Sequence, residues 1–427
     1  MKRNIRTTAV VALALTTSMG LASCGRSTDT GAKATDKAST VSSGKATGTI
    51  TVWAMGGEGD KLPTLAKEFE ALNPGVKIEV TAIPFDAAHD KLATAITAGK
   101  TPDVSQIGTT WMGEFATQKA LDPTPASIDK STFFEGAQKT TEVGGTSYGV
   151  PWYVETRLVY YRKDLAAKAG ITTMPTDWAG LKDMAKAMQT KAGAKYGIDL
   201  QAGGQGSWQS ILPFAWSNGA EVALADQKKY TFDTPETAEA VKYFQSYFTD
   251  KIAAKQLPQN SRAPSFVNGS VPMFISGPWE MSGLNELGKA GFKDKYGVMM
   301  MPKQKTATSF VGGSDLAVFK NSKNRDSAWK FVQWLSDPKT QVKFFALSTD
   351  LPSVKSAWTD PALTADPKLA VFGKQLEDAK APPATATWEQ VIAGFDTEME
   401  KVMKSGLDPA AALKTVQTKA DSIGTGN

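Results

Sequence analysis

The chain has 427 residues, is 41% hydrophobic and 21% charged, and carries a formal net charge of +5, which is the composition of two or three globular domains and not of a disordered chain. One cysteine (Cys24) and one histidine (His89) exclude a disulfide framework and a Cys/His zinc cluster. Lys2, Arg3 and Arg6 supply part of the mild positive charge, and no clustered basic face points to nucleic acid.

In chain order, residues 1–23 read as an export signal. A positive start is followed by an apolar stretch from Ala9 to Leu15, too short for a membrane span of ~20 apolar residues. Leu21-Ala22-Ser23-Cys24 then resembles a bacterial lipobox, with small residues ahead of the thiol that takes the lipid. Residues 24–47 read as a lipidated Cys24 and a flexible tether. Residues 25–47 are mostly Gly, Ser, Thr, Ala, Lys and Asp, with one Val and no aromatic, so they cannot bury apolar surface. As a coil they would span about 26 Å.

The body that follows alternates strands and helices. Thr49–Trp53 is a β-branched run ended by the loop Gly56-Gly57-Glu58-Gly59. Residues 61–73 place Leu62, Leu65, Phe69 and Leu72 at helical spacing, stopped by Asn73-Pro74-Gly75. Residues 76–82 alternate as a second strand, 89–98 form a helix closed by Gly99, and 103–107 form a third strand. Short strand–helix–strand steps argue for βαβ units and a mostly parallel sheet. Further helices are expected over 178–190, 208–218, 234–250, 323–334, 338–347, 387–405 and 409–422. The pattern defines an α/β fold larger than one domain, with no second spanning segment.

Catalytic motifs fail on their own terms. Gly145-Thr146-Ser147-Tyr148-Gly149 fits the G-x-S-x-G nucleophile elbow, but that fold needs a histidine after the serine, and His89 lies before it. A glycine-rich hairpin is the plainer reading. His89 is read as a helix-start residue beside Asp90. Gly203-Gly204-Gln205-Gly206 lacks the spacing of a dinucleotide loop, and no phosphate-cradling P-loop exists. With 43 acidic residues, a carboxylate pair for glycoside hydrolysis is not excluded by residue type, yet no spacing singles one out.

The tryptophans fall mostly at strand ends, loop edges and helix starts. A sugar ring offers an apolar C–H face and a rim of hydroxyls, so aromatic rings near Glu58, Glu155, Gln209 and Asp315 would suit it.

At this point a resemblance emerges. It rests on Ile50-Thr51-Val52-Trp53, Phe69-Glu70 through Asn73-Pro74-Gly75-Val76, and Thr101-Pro102-Asp103-Val104. It continues through Tyr148-Gly149-Val150-Pro151-Trp152-Tyr153, Leu158 to Asp164, and Phe266 through Gly269 to Gly277-Pro278-Trp279. Gly312-Gly313 and Ala328-Trp329-Lys330-Phe331 complete it. In this order, behind a lipobox, the chain from 48 to 427 resembles the extracytoplasmic solute-binding proteins of carbohydrate ABC importers, the maltose- and trehalose-binding group.

The resemblance implies a two-lobed periplasmic-binding-protein-like fold of type II, with a ligand cleft between lobes joined by crossovers near 153–155, 306–312 and 346–350. One lobe would be 48–153 plus 311–348, the other 154–310 plus 349–427, and hinge closure would trap the ligand. Trp279 would be the stacking platform and Tyr153 with Glu155 an aromatic–x–acid pair at the first crossing. Glu58, Thr110 and Trp111 would contact ligand from lobe one, with Gly313, Ser314 and Asp315 where the chain re-enters it. Trp208 and Gln209 would open a helix beside the cleft, and Trp388 would be a late cleft aromatic. Trp53, Trp152, Trp216, Trp329 and Trp334 are assigned to packing.

The implied function is capture without conversion: no enzyme, no cofactor and no metal. The partners would be a di- or oligosaccharide, the permease subunits and the lipid at Cys24, with a monomer on the outer face of the cell membrane. Alternatives are a surface glycoside hydrolase, or a binding protein for a peptide or a polyol-phosphate. The last would bring Arg157 and Arg162 to the cleft.

Overall fold

The computed structural model describes residues 40–426; the export signal and Cys24 lie outside them. Residues 40–46, assigned by composition to the tether, are already bonded to the body. Ser42 N donates to Asp326 Oδ2 at 3.0 Å, Ala46 N donates to Asn73 Oδ1 at 3.1 Å, and the Ala46 side chain is fully buried.

Twelve strands are described: β1 Thr47–Met55, β2 Gly75–Ile83, β3 Val104–Gly108, β4 Glu142–Val143, β5 Thr146–Ser147, β6 Val150–Thr156, β7 Leu158–Arg162, β8 Met273–Ser276, β9 Tyr296–Met299, β10 Ser309–Val318, β11 Leu351–Pro352 and β12 Ala379–Lys380. The larger sheet runs β11-β6-β10-β3-β1-β2, with β12 beside β10, and the smaller sheet runs β8-β7-β9. Only β1 with β2, β1 with β3, and β10 with β12 pair in parallel; β10 is antiparallel to both β3 and β6. The mostly parallel sheet expected from element order is therefore corrected to a mixed one. The long strand β10 arrives from the other lobe and enters against the direction of the βαβ strands.

Local sequence explains the first unit. Ile50, Val52 and Ala54 alternate into the core of β1, as period-two patterning demands. Gly56-Gly57-Glu58-Gly59 is not a loop, however, but the first turn of helix Gly56–Leu72. There Glu58 lies where the helix dipole favours an anion. A Cβ at Gly59 would lie 2.8 Å from the Ala54 carbonyl and 3.0 Å from Ala82 Cα, so glycine allows the helix to rest on the sheet. The elbow motif is indeed a hairpin, β4–β5, turning on Gly144 and Gly145 at positive φ. Its Ser147 is buried among Thr124, Thr141 and Gln138.

Three larger cores and two smaller ones are found among the described residues. One packs Ile50, Val52, Leu62, Phe69, Trp152, Trp329 and Phe331 under the larger sheet. Another gathers Trp178, Trp208, Trp216, Phe244, Trp388 and Phe395. The third, with Val154, Leu158, Tyr160, Val311, Leu351 and Phe372, underlies the segments that pass between lobes. The change of sheet from β6 to β7 occurs at Arg157, which places this residue between the two lobes. Among the described residues no helix is long and apolar enough to cross a membrane.

Candidate functional site

A cavity of about 750 Å³ lies between the lobes. Its first wall is the end of β3, running on into Thr109, Thr110 and Trp111, with Phe85 and the Gly312–Ser314 segment of β10. The facing wall is the loop Gly204–Gly206, Trp208 and Gln209 from helix Trp208–Ser217, and one face of helix Trp388–Glu400. Glu155 and Phe310 lie at the hinge between them. Volume and chemistry are those of a small-molecule pocket, which typically measures ~300–1,000 Å³.

Helix Trp208–Ser217 is locked in place by a cap from outside itself. The Asp396 carboxylate accepts from Gly206 N at 2.7 Å, Ser207 Oγ at 2.7 Å and Trp208 N at 2.9 Å. Trp208 N is one of the amides a helix start leaves unpaired, and the other two donors fix the turn that leads into it. Burial nevertheless pushes the Asp396 carboxyl above the usual carboxylate range.

A relay of directed hydrogen bonds holds the lobe-one wall. Met55 N donates to Gln106 Oε1 at 2.7 Å, Gln106 Nε2 to Ser314 Oγ at 3.0 Å, Ser314 Oγ to the Tyr153 hydroxyl at 3.2 Å, and that hydroxyl to Glu58 Oε1 at 2.8 Å. Burial, then the charges of Glu58 and Asp350, push the Tyr153 hydroxyl well above its ordinary range. Beside it, Asp350 is pushed up to about 7, first by burial and then by Glu58.

Arg157 organises the hinge side. It donates to Gln209 Oε1 at 2.7 Å and to both Glu155 oxygens at 3.3 and 3.4 Å. Its guanidinium lies over the Trp279 ring at 4.5 Å and near Phe310 at 5.5 Å, a cation–π arrangement that holds a flat ring in place. A Cβ at Gly277 would fall 1.9 Å from the Trp279 ring, so the glycine two residues before it is what lets the ring fold back. Trp279 remains 46% exposed.

The geometry therefore brings together Thr110, Trp111, Glu155, Trp208, Gln209, Gly313 and Ser314 along the cavity. Tyr153 and Glu58 join through Ser314, and Trp279 joins through Arg157. Two expected contacts are corrected. Trp388 is 0% exposed and packs edge-on to Trp208 at 5.4 Å; it belongs to the core behind the wall, while Trp208, only 5% exposed, still presents an edge to the cavity. Asp315 is 1% exposed and faces Thr140 at 3.0 Å, because successive strand residues point to opposite faces. Gly313 sits at φ +121°, where a Cβ would lie 2.1 Å from the Tyr153 carbonyl, so only glycine closes this wall.

Sequence reasoning missed Phe85, Glu389, Thr397 and Glu400 on the cavity wall. The helical spacing of 389, 393, 396, 397 and 400 was the available signal for the last three. His89 is no ligand residue of this cavity: in helix Phe85–Thr97 its Nε2 lies 2.9 Å from Glu114 Oε2, and that bond raises its pKa.

Two lobes on shared hinge strands, closing around one polar and aromatic cavity, define a protein that captures a solute. The comparisons agree. The sequence matches the bacterial extracellular solute-binding protein family over residues 55–342. A binding protein of Brucella abortus is 31% identical over 366 residues, 84% of this chain and 88% of that one. A maltotriose-binding protein of Pyrococcus abyssi is 26% identical, over 83% of this chain and 77% of its own. The solved sugar-binding protein MalE from Xanthomonas citri superposes with a TM-score of 0.83 at 32% identity, covering 88% of this chain and 97% of that chain. The chain belongs to the bacterial extracellular solute-binding protein family. It is a two-lobed, extracytoplasmic substrate-binding component and not an enzyme.

Proposed function

We propose that this chain captures a di- or oligosaccharide between its lobes and delivers it to the membrane permease of an ABC importer, working as a monomer held by a lipid on Cys24. The lobes would divide as 48–153 plus 311–348 and 154–310 plus 349–427. The carrying observation is the cavity itself: Trp111, Trp208 and Phe85 offer apolar edges and faces, while Glu155, Gln209, Thr110 and Ser314 offer donors and acceptors around them. That is the pairing of ring face and hydroxyl rim a pyranose requires. The names of the maltotriose-binding relative and the MalE structure point the same way.

Arg157 weighs against a phosphorylated polyol. Its guanidinium is already engaged by Glu155 and Gln209, leaving little to clamp a phosphate. A micromolar dissociation constant corresponds to about −8 kcal/mol, within reach of a few stacked faces and several hydrogen bonds.

The test is a thermal-shift panel on residues 25–427 with mono-, di- and oligosaccharides, phosphorylated polyols and short peptides. Ligand at ~1,000 times its dissociation constant stabilises by about 4 kcal/mol. A shift with one sugar group, recovered unchanged, supports the proposal. A shift only with peptides or phosphorylated polyols, or a cleaved sugar, overturns it.

A further inference from the structure

A second cavity, of about 590 Å³, opens on the second lobe. It adjoins the cleft along one short loop: Gly203 lines the second cavity and Gly204, Gln205 and Gly206 line the first. The same neighbourhood recurs on the helical side, where Glu400 lines the cleft, Lys404 lines the second cavity, and the two form an ion pair at 2.6 Å. Glu280, on the second cavity, directly follows Trp279.

The crest between the cavities carries one side chain, the exposed Gln205, among three glycines. Gly203, Gly204 and Gly206 have φ of +118°, +82° and +79°. A Cβ at Gly204 or Gly206 would meet nothing within 4 Å, whereas one at Gly203 would lie 2.4 Å from Glu400 Cα. The loop is thus pressed onto the helix at Gly203, while at Gly204 and Gly206, on either side of the exposed Gln205, nothing stands above the backbone, so a chain of sugars can cross it there at backbone height. This is the conformation glycine alone adopts at no cost.

The second cavity also carries fixed polar groups of both kinds. Arg262, 38% exposed at its side chain, donates to Asp199 Oδ2 at 2.9 Å and Glu280 Oε1 at 3.4 Å. Ser276 Oγ donates to the same Glu280 oxygen at 2.8 Å. Donors and acceptors held side by side suit vicinal hydroxyls, which both give and accept hydrogen bonds. No aromatic residue lines this cavity, so it lacks the stacking face that anchors a sugar.

We infer that the second cavity is an accessory saccharide site, which receives the units of a longer oligosaccharide that pass out of the cleft over the Gly203–Gly206 crest. The inference rests on the saccharide reading of the cleft. Without a stacking face, the added units contribute through hydrogen bonds alone.

Calorimetric titration of the full chain with maltodextrin, chitooligosaccharide and β-galacto-oligosaccharide ladders, each from the disaccharide upward, tests it. In the ladder that binds, affinity rises about 10-fold, or 1.4 kcal/mol, between the disaccharide and the longer members. Gln256→Ala, at an exposed loop residue lining the second cavity, reduces that rise, and Arg262→Ala abolishes it, while both leave disaccharide affinity within about 2-fold. Equal affinity along the ladder, or a rise that survives Arg262→Ala, overturns the accessory site while the saccharide reading stands. Failure of every ladder to bind overturns both.

Discussion

Asp315 offers a quantitative test of where this chain keeps its carboxylates. Its side chain is 1% exposed, and Thr140 Oγ1 lies 3.0 Å from both carboxylate oxygens. That same hydroxyl lies 2.7 Å from the Ala137 carbonyl and has a single proton. Once the proton is given to the carbonyl, the carboxyl must bring its own, and burial pushes its pKa from 3.8 up to about 8. A folded-state pKa above the unfolded one contributes stability fully present below about pH 4 and lost as pH rises through about 8. At about 1.4 kcal/mol per unit, this one group withdraws roughly 4 kcal/mol between pH 4 and 7. That is a large share of a stability of about 5–15 kcal/mol. Asp315→Asn keeps the shape, offers an N–H to Thr140, and removes the titration. Urea unfolding of both proteins from pH 5 to 7 should show the variant gaining on the parent by about 1.4 kcal/mol per pH unit. A difference that stays constant with pH would refute both the buried position and its proton.

Trp279→Ala should weaken binding of the sugar found in the thermal-shift panel by about 10- to 100-fold, read by calorimetry; unchanged affinity would remove Trp279 from the site. Trp388→Ala, at a fully buried ring, should cost ~3–5 kcal/mol in urea unfolding, and a loss below about 1 kcal/mol would mean the ring is not core. Gly313→Ala forces a Cβ to 2.1 Å from the Tyr153 carbonyl at φ +121°. It should destabilise by about 1–3 kcal/mol, and a neutral effect would show that the hinge strands can part freely.

The element list was open to sequence because local physics writes it. Helix Trp178–Thr190 is found as expected, with Asp177 accepting from Gly180 N at 2.8 Å as its cap, and β1, β2 and β3 follow from alternation and turn residues within two positions. The start of helix Gly56–Leu72 was hidden, since glycines signal a loop unless a neighbouring sheet demands close approach. The direction of β10 was hidden too, because pairing partners lie far apart in the chain.

The site divides the same way. The family resemblance, carried by sequence motifs, implied one neighbourhood for Trp279, Tyr153, Glu155, Thr110, Trp111 and Ser314. It could not separate Trp388 from Trp208, or Asp315 from Ser314. Nor could it see that Arg157 would be engaged by Glu155 and Gln209 beneath Trp279. Periodicity states which face of an element is apolar, and composition states which residues suit a sugar. Neither states what covers a face. Only packing of one lobe against the hinge decides whether an aromatic ring ends in a core or on a cleft wall, since both environments reward the same apolar surface.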